Sequence, residues 1–79
     1  MSKKGQLKRA IQDSEREIEA LEMKRERSQM AIMRAMISGQ KPSPEDLQYF
    51  NVFSTLIDNE RENLRSLIAE LESLKKKKK

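Results

Sequence analysis

The stretch Ser38–Asp46, SGQKPSPED, gathers Gly39, Pro42 and Pro44, and the only other glycine of the chain is Gly5. Gly and Pro are the strongest local breakers, so the roughly thirty residues on each side, which hold none, read as long uninterrupted elements joined by one turn. Gly39 after Ile37-Ser38 suits the position just past a helix end, where the chain turns left-handed at low steric cost. Pro42 forbids continuation of a helix. Ser43 is then an N-cap, Pro44 a first helical residue, and Glu45 and Asp46 place negative charge in the first turn, which complements the helix dipole.

Working outward, residues 1–5 read as a flexible basic N-terminus. One helix is expected over 6–38, a turn over 39–43, a second helix over 44–74, and a lysine tail over 75–79. At ~1.5 Å per residue each helix is roughly 45–50 Å long. Helices of that length must pack on something, and the nearest surface is each other. The fold class is therefore all-α, an antiparallel two-helix hairpin of coiled-coil type that can pair further into a helical bundle.

Heptad spacing selects a seam on each helix. On the first it runs Leu7, Ile11, Ser14, Ile18, Leu21, Arg25, Ser28, Ile32 and Ala35; on the second, Leu47, Phe50, Ser54, Ile57, Arg61, Leu64, Ile68 and Leu71. Antiparallel partners have residue numbers with a constant sum, and a sum of 82 keeps both series in phase, from Ile11–Leu71 through Ser28–Ser54 to Ala35–Leu47. Arg25 and Arg61 fall in this seam, where their stems can lie across apolar surface with the guanidinium heads in water. Glu22, Glu26, Asp58, Glu60 and Glu62 are the acidic groups within reach, so no outside partner is needed for them. The polar middle predicts a hairpin of marginal stability.

Composition sets limits on chemistry. The chain has 17 Lys+Arg against 13 Asp+Glu, a formal charge of +4, and Lys75–Lys79 supply more than the whole excess. It has no Cys, His or Trp, which removes disulfides, thiolate chemistry, Cys/His zinc sites and imidazole catalysis. Carboxylate pairs such as Glu15/Glu19 and Glu22/Glu26 are interleaved with Lys and Arg and read as a solvated face. No phosphate loop, nucleophile elbow or metal-ligand spacing is present, and a two-helix chain walls off no pocket. The expectation is a non-enzyme with no catalytic residue, cofactor or metal. No apolar run approaches the ~18–20 residues of a membrane span, and the N-terminus lacks a signal-peptide core, so a cytoplasmic protein is expected.

The seam leaves apolar residues over. Met30–Ile37, MAIMRAMI, is apolar on nearly every side, and Tyr49, Val52, Phe53 and Leu56 lie off the second helix's stripe. Met30, Met33, Met36, Ile37, Tyr49, Val52, Phe53 and Leu56 are thus the candidate partner-binding residues, clustered at the turn end. Each such side chain gains roughly 1.5–3 kcal/mol on full burial, which favours a covering partner. Methionine's flexible thioether suits an imposed surface. At the other end Lys3, Lys4, Lys8 and Arg9 join the lysine tail, a cluster that would hold phosphates, acidic lipid or an acidic protein, or serve as a solubilising tail.

The segment Met36–Leu56, MISGQKPSPEDLQYFNVFSTL, resembles two groups from bacterial type III secretion. One is the small cytoplasmic E-type component, a needle co-chaperone built as a short α-hairpin. Its turn has a Gly a few residues before a Pro-Glu helix start and then an aromatic stretch, matched here by Gly39, Pro44-Glu45 and Tyr49-Phe50. The other is the needle subunit, also a helical hairpin, whose second helix is expected to be less charged than ERENLRSLIAELESLKKKKK. The Lys-rich termini and the KRERSQ segment, Lys24–Gln29, depart from both patterns. The resemblance implies that the apolar face docks on a tetratricopeptide-repeat chaperone, with the secreted needle subunit held mainly by that partner.

Three readings follow. The first is a co-chaperone or adaptor that hides apolar surface of a cytosolic protein, with Met33, Met36, Ile37, Val52, Phe53 and Leu56 carrying contact. The second is a homodimeric four-helix bundle with a structural role. The third is a basic hairpin dimer that binds nucleic acid.

Overall fold

The computed structural model describes residues 2–76. Two helices, α1 (Lys3–Ile37) and α2 (Pro44–Lys76), lie against each other in a rod of 63 × 17 × 16 Å, the expected all-α hairpin.

The turn forms as its residues dictate. Gly39 adopts φ 73°, and its N–H donates to the Met36 carbonyl at 3.1 Å while the Gln40 N–H donates to that of Ala35 at 2.8 Å. These two bonds satisfy the last carbonyls of α1 in a Schellman arrangement. Ser43 Oγ then accepts from the N–H groups of Glu45 at 3.1 Å and Asp46 at 3.3 Å, capping α2.

Both ends of the rod correct the expected boundaries. Helix α1 starts at Lys3 rather than residue 6, so residues 3–5 are helical and not a flexible arm. Ser2 is the reason: its Oγ accepts from the Gly5 N–H at 3.1 Å and its carbonyl from the Gln6 N–H at 3.1 Å, which holds glycine in the first turn. The helix ends at Ile37, with Ser38 as its cap. Helix α2 continues through Lys75 and Lys76, where positive charge suits a helix C-terminus. The remaining tail lysines, 77–79, lie outside the described residues.

On α1 the seam is as expected. Leu7, Ser14, Leu21 and Ser28 are buried at seven-residue spacing, and Ile11, Ile18, Arg25, Ile32 and Ala35 are half-buried beside them. On α2 it is shifted. Ile57 is completely buried and shares a row with half-buried Phe50, Leu64 and Leu71, but the alternate row is Phe53, Glu60, Leu67 and Leu74. Ser54 and Arg61 are half-buried at the border, whereas Leu47 and Ile68 are exposed.

The register also moves. Cross-helix contacts join Lys3 to Glu70 at 3.6 Å, Ser14 to Glu60 at 2.6 Å, Arg25 to Ser54 at 3.5 Å and Glu22 to Arg61 at 3.0 Å. Their residue numbers add to 73, 74, 79 and 83, centred between four and five residues below 82. A sum of 82 would put Ser14 and Glu60 about 12 Å out of level, beyond the span of the two side chains. A sum near 78 accommodates all four contacts; it sets Leu21 level with Ile57 and small Ser28 level with Phe50, so Ser28 does not face Ser54. Among the described residues no buried side-chain polar atom lacks a partner.

Candidate docking surfaces

The hairpin has two long edges, defined by its polar contacts. Glu22–Arg61 and Arg25–Ser54 lie along one, because Ser54 and Arg61 border the buried row of α2 on one side. Ser14–Glu60 lies along the other, with Asn63 Nδ2 donating to the same Glu60 oxygen at 2.9 Å. These two donors hold the Glu60 carboxyl below the usual value of 4.5, the Ser14 hydroxyl contributing more, against a smaller upward push from burial.

Of the eight expected contact residues, Met30, Met33, Met36, Ile37, Tyr49, Val52 and Leu56 are exposed, Ile37 at 83%. Phe53 is half-buried in the seam row, a correction to its assignment as off the stripe. Its ring stacks on Tyr49 with centroids 6.1 Å apart and planes at 22°, so it supports the exposed tyrosine from within. Sequence reading missed Met23, which is 61% exposed. Its signal is the spacing Met23–Met30–Ile37, one helical row repeated every seven residues on the face away from α2.

The structure divides the set instead of gathering it into one cluster. Met36 shares a row with Glu22 and Leu47 shares one with Ser54 and Arg61, so these two, with Met33 nearby, lie toward the Arg61 edge. Tyr49 and Leu56 share a row with Asn63 and lie toward the Glu60 edge, with Val52 next to them. Two open clefts lie at this end, each on a single helix. One of 420 Å³ is lined by Met23, Glu26, Arg27, Met30, Ala31 and Arg34 of α1 alone. The other, of 270 Å³, is lined by Asn51, Val52, Thr55 and Leu56 of α2 alone. On α1 the spread of exposed apolar residues follows from the MAIMRAMI run, whose side chains radiate around the helix while only one stripe can meet α2.

Charge differs between the two helices at this end. Over residues 23–37 α1 carries Lys24, Arg25, Arg27 and Arg34 against Glu26; over 44–60 α2 carries Glu45, Asp46, Asp58 and Glu60 with no Lys or Arg. At the opposite end Lys3 is paired with Glu70. Among the described residues no three of His, Cys, Asp and Glu group to hold a metal ion, and no helix is long and apolar enough to cross a membrane. No family model, curated protein or solved structure matches this chain.

Proposed function

We propose that the protein is a non-enzymatic helical adaptor of the cytoplasm, a co-chaperone that covers apolar surface of a protein partner with the turn end of its hairpin. One observation carries this reading: Met23, Met30, Met33, Met36 and Ile37 of α1 and Tyr49, Val52 and Leu56 of α2 stand exposed in the half of the rod nearest the turn. Exposed apolar side chains concentrated at one end of a small charged chain favour association there. The likeness of Met36–Leu56 to the E-type needle co-chaperones supports a helical-repeat partner and a role in handling a secreted needle subunit.

The test uses exposed positions, since Phe53 belongs to the seam and its replacement would disturb the fold. Met33→Asp/Met36→Asp should retain the helical circular dichroism of the parent and lose a protein that co-purifies stoichiometrically with the parent from its native cytosol. Equal recovery with both chains would remove the reading. The lysine cluster favours no second function: removing the tail should leave nucleic-acid affinity at the background level of a small basic peptide, and a fall of several units in the salt slope would overturn that.

A further inference from the structure

The face of α1 turned away from α2 carries a second heptad row over its turn half. Met23, Met30 and Ile37 repeat every seven residues, and Glu26 and Met33 follow three residues after the first two, the spacing of a and d positions in a coiled coil. The four apolar members are all exposed, and an open cleft lies between Met23 and Met30 on one side and Arg27 and Arg34 on the other. The row runs for about 21 Å of helical rise, two heptads. With α2 packed on the opposite face, no other element of the hairpin reaches it.

The borders of the row set the chemistry of what lies on it. Arg27 and Arg34 flank it on one side, where a coiled-coil partner places its charged residues. Gln29 and Met36 flank it on the other and bring no charge, while Glu22, on the same side, is held by Arg61. Among the described residues neither Arg27 nor Arg34 is in an ion pair. A second copy meets the row poorly. Antiparallel, its arginines would face Arg27 and Arg34; parallel, its glutamate would face Glu26, and like charges at such positions repel. A membrane surface fits no better, since the row is narrow and holds Glu26 between its methionines.

We infer that the row takes an amphipathic helix of a protein partner, apolar along one stripe and carrying Asp or Glu beside Arg27 and Arg34. Glu26 fixes the register of that helix, since only a polar or basic residue is tolerated at its level. The inference rests on the adaptor reading and gives its partner a chemistry. Two heptads make a small contact, so binding through this row alone is weak.

Two synthetic helical peptides of about three heptads, titrated into the full chain and followed by fluorescence anisotropy, test this. Both carry Leu at a and d; one has Glu at every flanking e and g position and the other Lys, so that neither pairs with itself. The acidic peptide should bind in the micromolar range and the basic one at least about tenfold more weakly. Arg27→Glu/Arg34→Glu should reverse that preference, and Glu26→Leu should tighten binding. Met30→Asp, at an exposed site, should abolish binding while the helical circular dichroism of the parent is retained. Absence of binding, equal affinity for the two peptides, or binding indifferent to Met30→Asp overturns the inference. So does sedimentation of the free chain as an oligomer that Met30→Asp dissolves, which gives the row to a second copy, or capture of the chain by phosphatidylserine vesicles through the same methionine. Each of these leaves the adaptor reading standing, since that reading fails only on the Met33→Asp/Met36→Asp comparison made against the partner.

Discussion

The Ser14 hydroxyl donates to Oε2 of Glu60 across 2.6 Å, bridging the helices at a seam position where a coiled coil would ordinarily hold an apolar residue. Ser14 is buried, and a polar pair at such a level gives up apolar packing but penalises any register that separates it. The bond therefore bears on which of the in-phase alignments the hairpin adopts.

It also makes stability depend on acid. Hydrogen bonds from Ser14 and Asn63 lower the Glu60 pKa in the folded chain, so the native state binds this proton less readily than the unfolded one. The stabilisation is complete above the ordinary carboxylate value and is lost as pH falls through the lower folded value. Thermal melts followed by circular dichroism should show the midpoint falling between about pH 6 and pH 3. In Ser14→Ala, which removes the larger of the two donors, the fall should be shallower; an unchanged slope would assign the acid sensitivity to other carboxylates.

The shift of the α2 seam gives a paired test. Ile57 is fully buried, and Ile57→Ala should cost about 2–4 kcal/mol, a large share of what a chain of this size has. Ile68, in the same helix and chemically identical, is 42% exposed, and Ile68→Ala should cost less than about 1 kcal/mol. Urea denaturation measures both. Equal costs would return Ile68 to the seam and the register to the higher sum.

What the sequence discloses depends on how local the cause is. Gly39, Ser43 and Pro44 act within a few residues of themselves, and the turn they build can be read directly. The α1 seam is legible because from Leu7 to Gln29 the large apolar residues other than Met23 fall on two adjoining rows, Leu7 with Leu21 and Ile11 with Ile18. On α2, the row Phe53–Glu60–Leu67–Leu74 and the row Leu47–Ser54–Arg61–Ile68 both mix apolar and polar residues and lie one residue apart, so the choice is made by α1 and not by α2's own pattern. A seven-residue repeat is likewise blind to a slip of about four residues, and only cross-helix contacts such as Ser14–Glu60 resolve it. Met23 escaped notice because it stands alone in a polar stretch, and its meaning comes from the row it shares with Met30 and Ile37.

The two glycines should respond with opposite sign. Gly39 has φ 73° and nothing lies within 4 Å of where a Cβ would stand, so Gly39→Ala meets no clash and its cost is purely that of the left-handed backbone, about 1 kcal/mol. Gly39→Asn should cost less, since asparagine tolerates that region. Gly5 is helical, and a Cβ there meets only Ser2 Oγ at 3.4 Å, so Gly5→Ala should stabilise by up to about 0.5 kcal/mol. Chemical denaturation of the three variants checks the ordering.

Ser43 accepts from two backbone N–H groups at the start of α2, and Ser43→Ala should cost about 1 kcal/mol while Ser43→Gly costs only a few tenths. The same exchange at Ser2, which caps α1 near the chain terminus, should matter less to global unfolding, because fraying there releases few other contacts. Hydrogen exchange separates the two: protection should fall across the first turn of α2 in one case and only near residues 3–6 in the other.

Arg61 is the remaining polar residue at the seam border, paired with Glu22 at 3.0 Å with both side chains more than two-fifths exposed. An ion pair so open to water contributes less than about 1 kcal/mol and weakens with salt. A leucine at the same half-buried position would gain apolar burial without holding two long side chains in one geometry. Arg61→Leu should therefore raise the urea midpoint, and Arg61→Ala should lower it slightly at low ionic strength, with that deficit shrinking in about 1 M salt as the lost attraction is screened. The guanidinium stem complicates the alanine variant, since truncation removes packing as well as charge. Comparing Arg61→Met, which keeps the stem's length, with Arg61→Ala isolates the packing part, and adding Glu22→Gln to each isolates the pair. If Arg61→Leu destabilises the chain, the ion pair outweighs burial at this border and the hairpin's polar middle is a source of stability, contrary to the balance argued from its exposure.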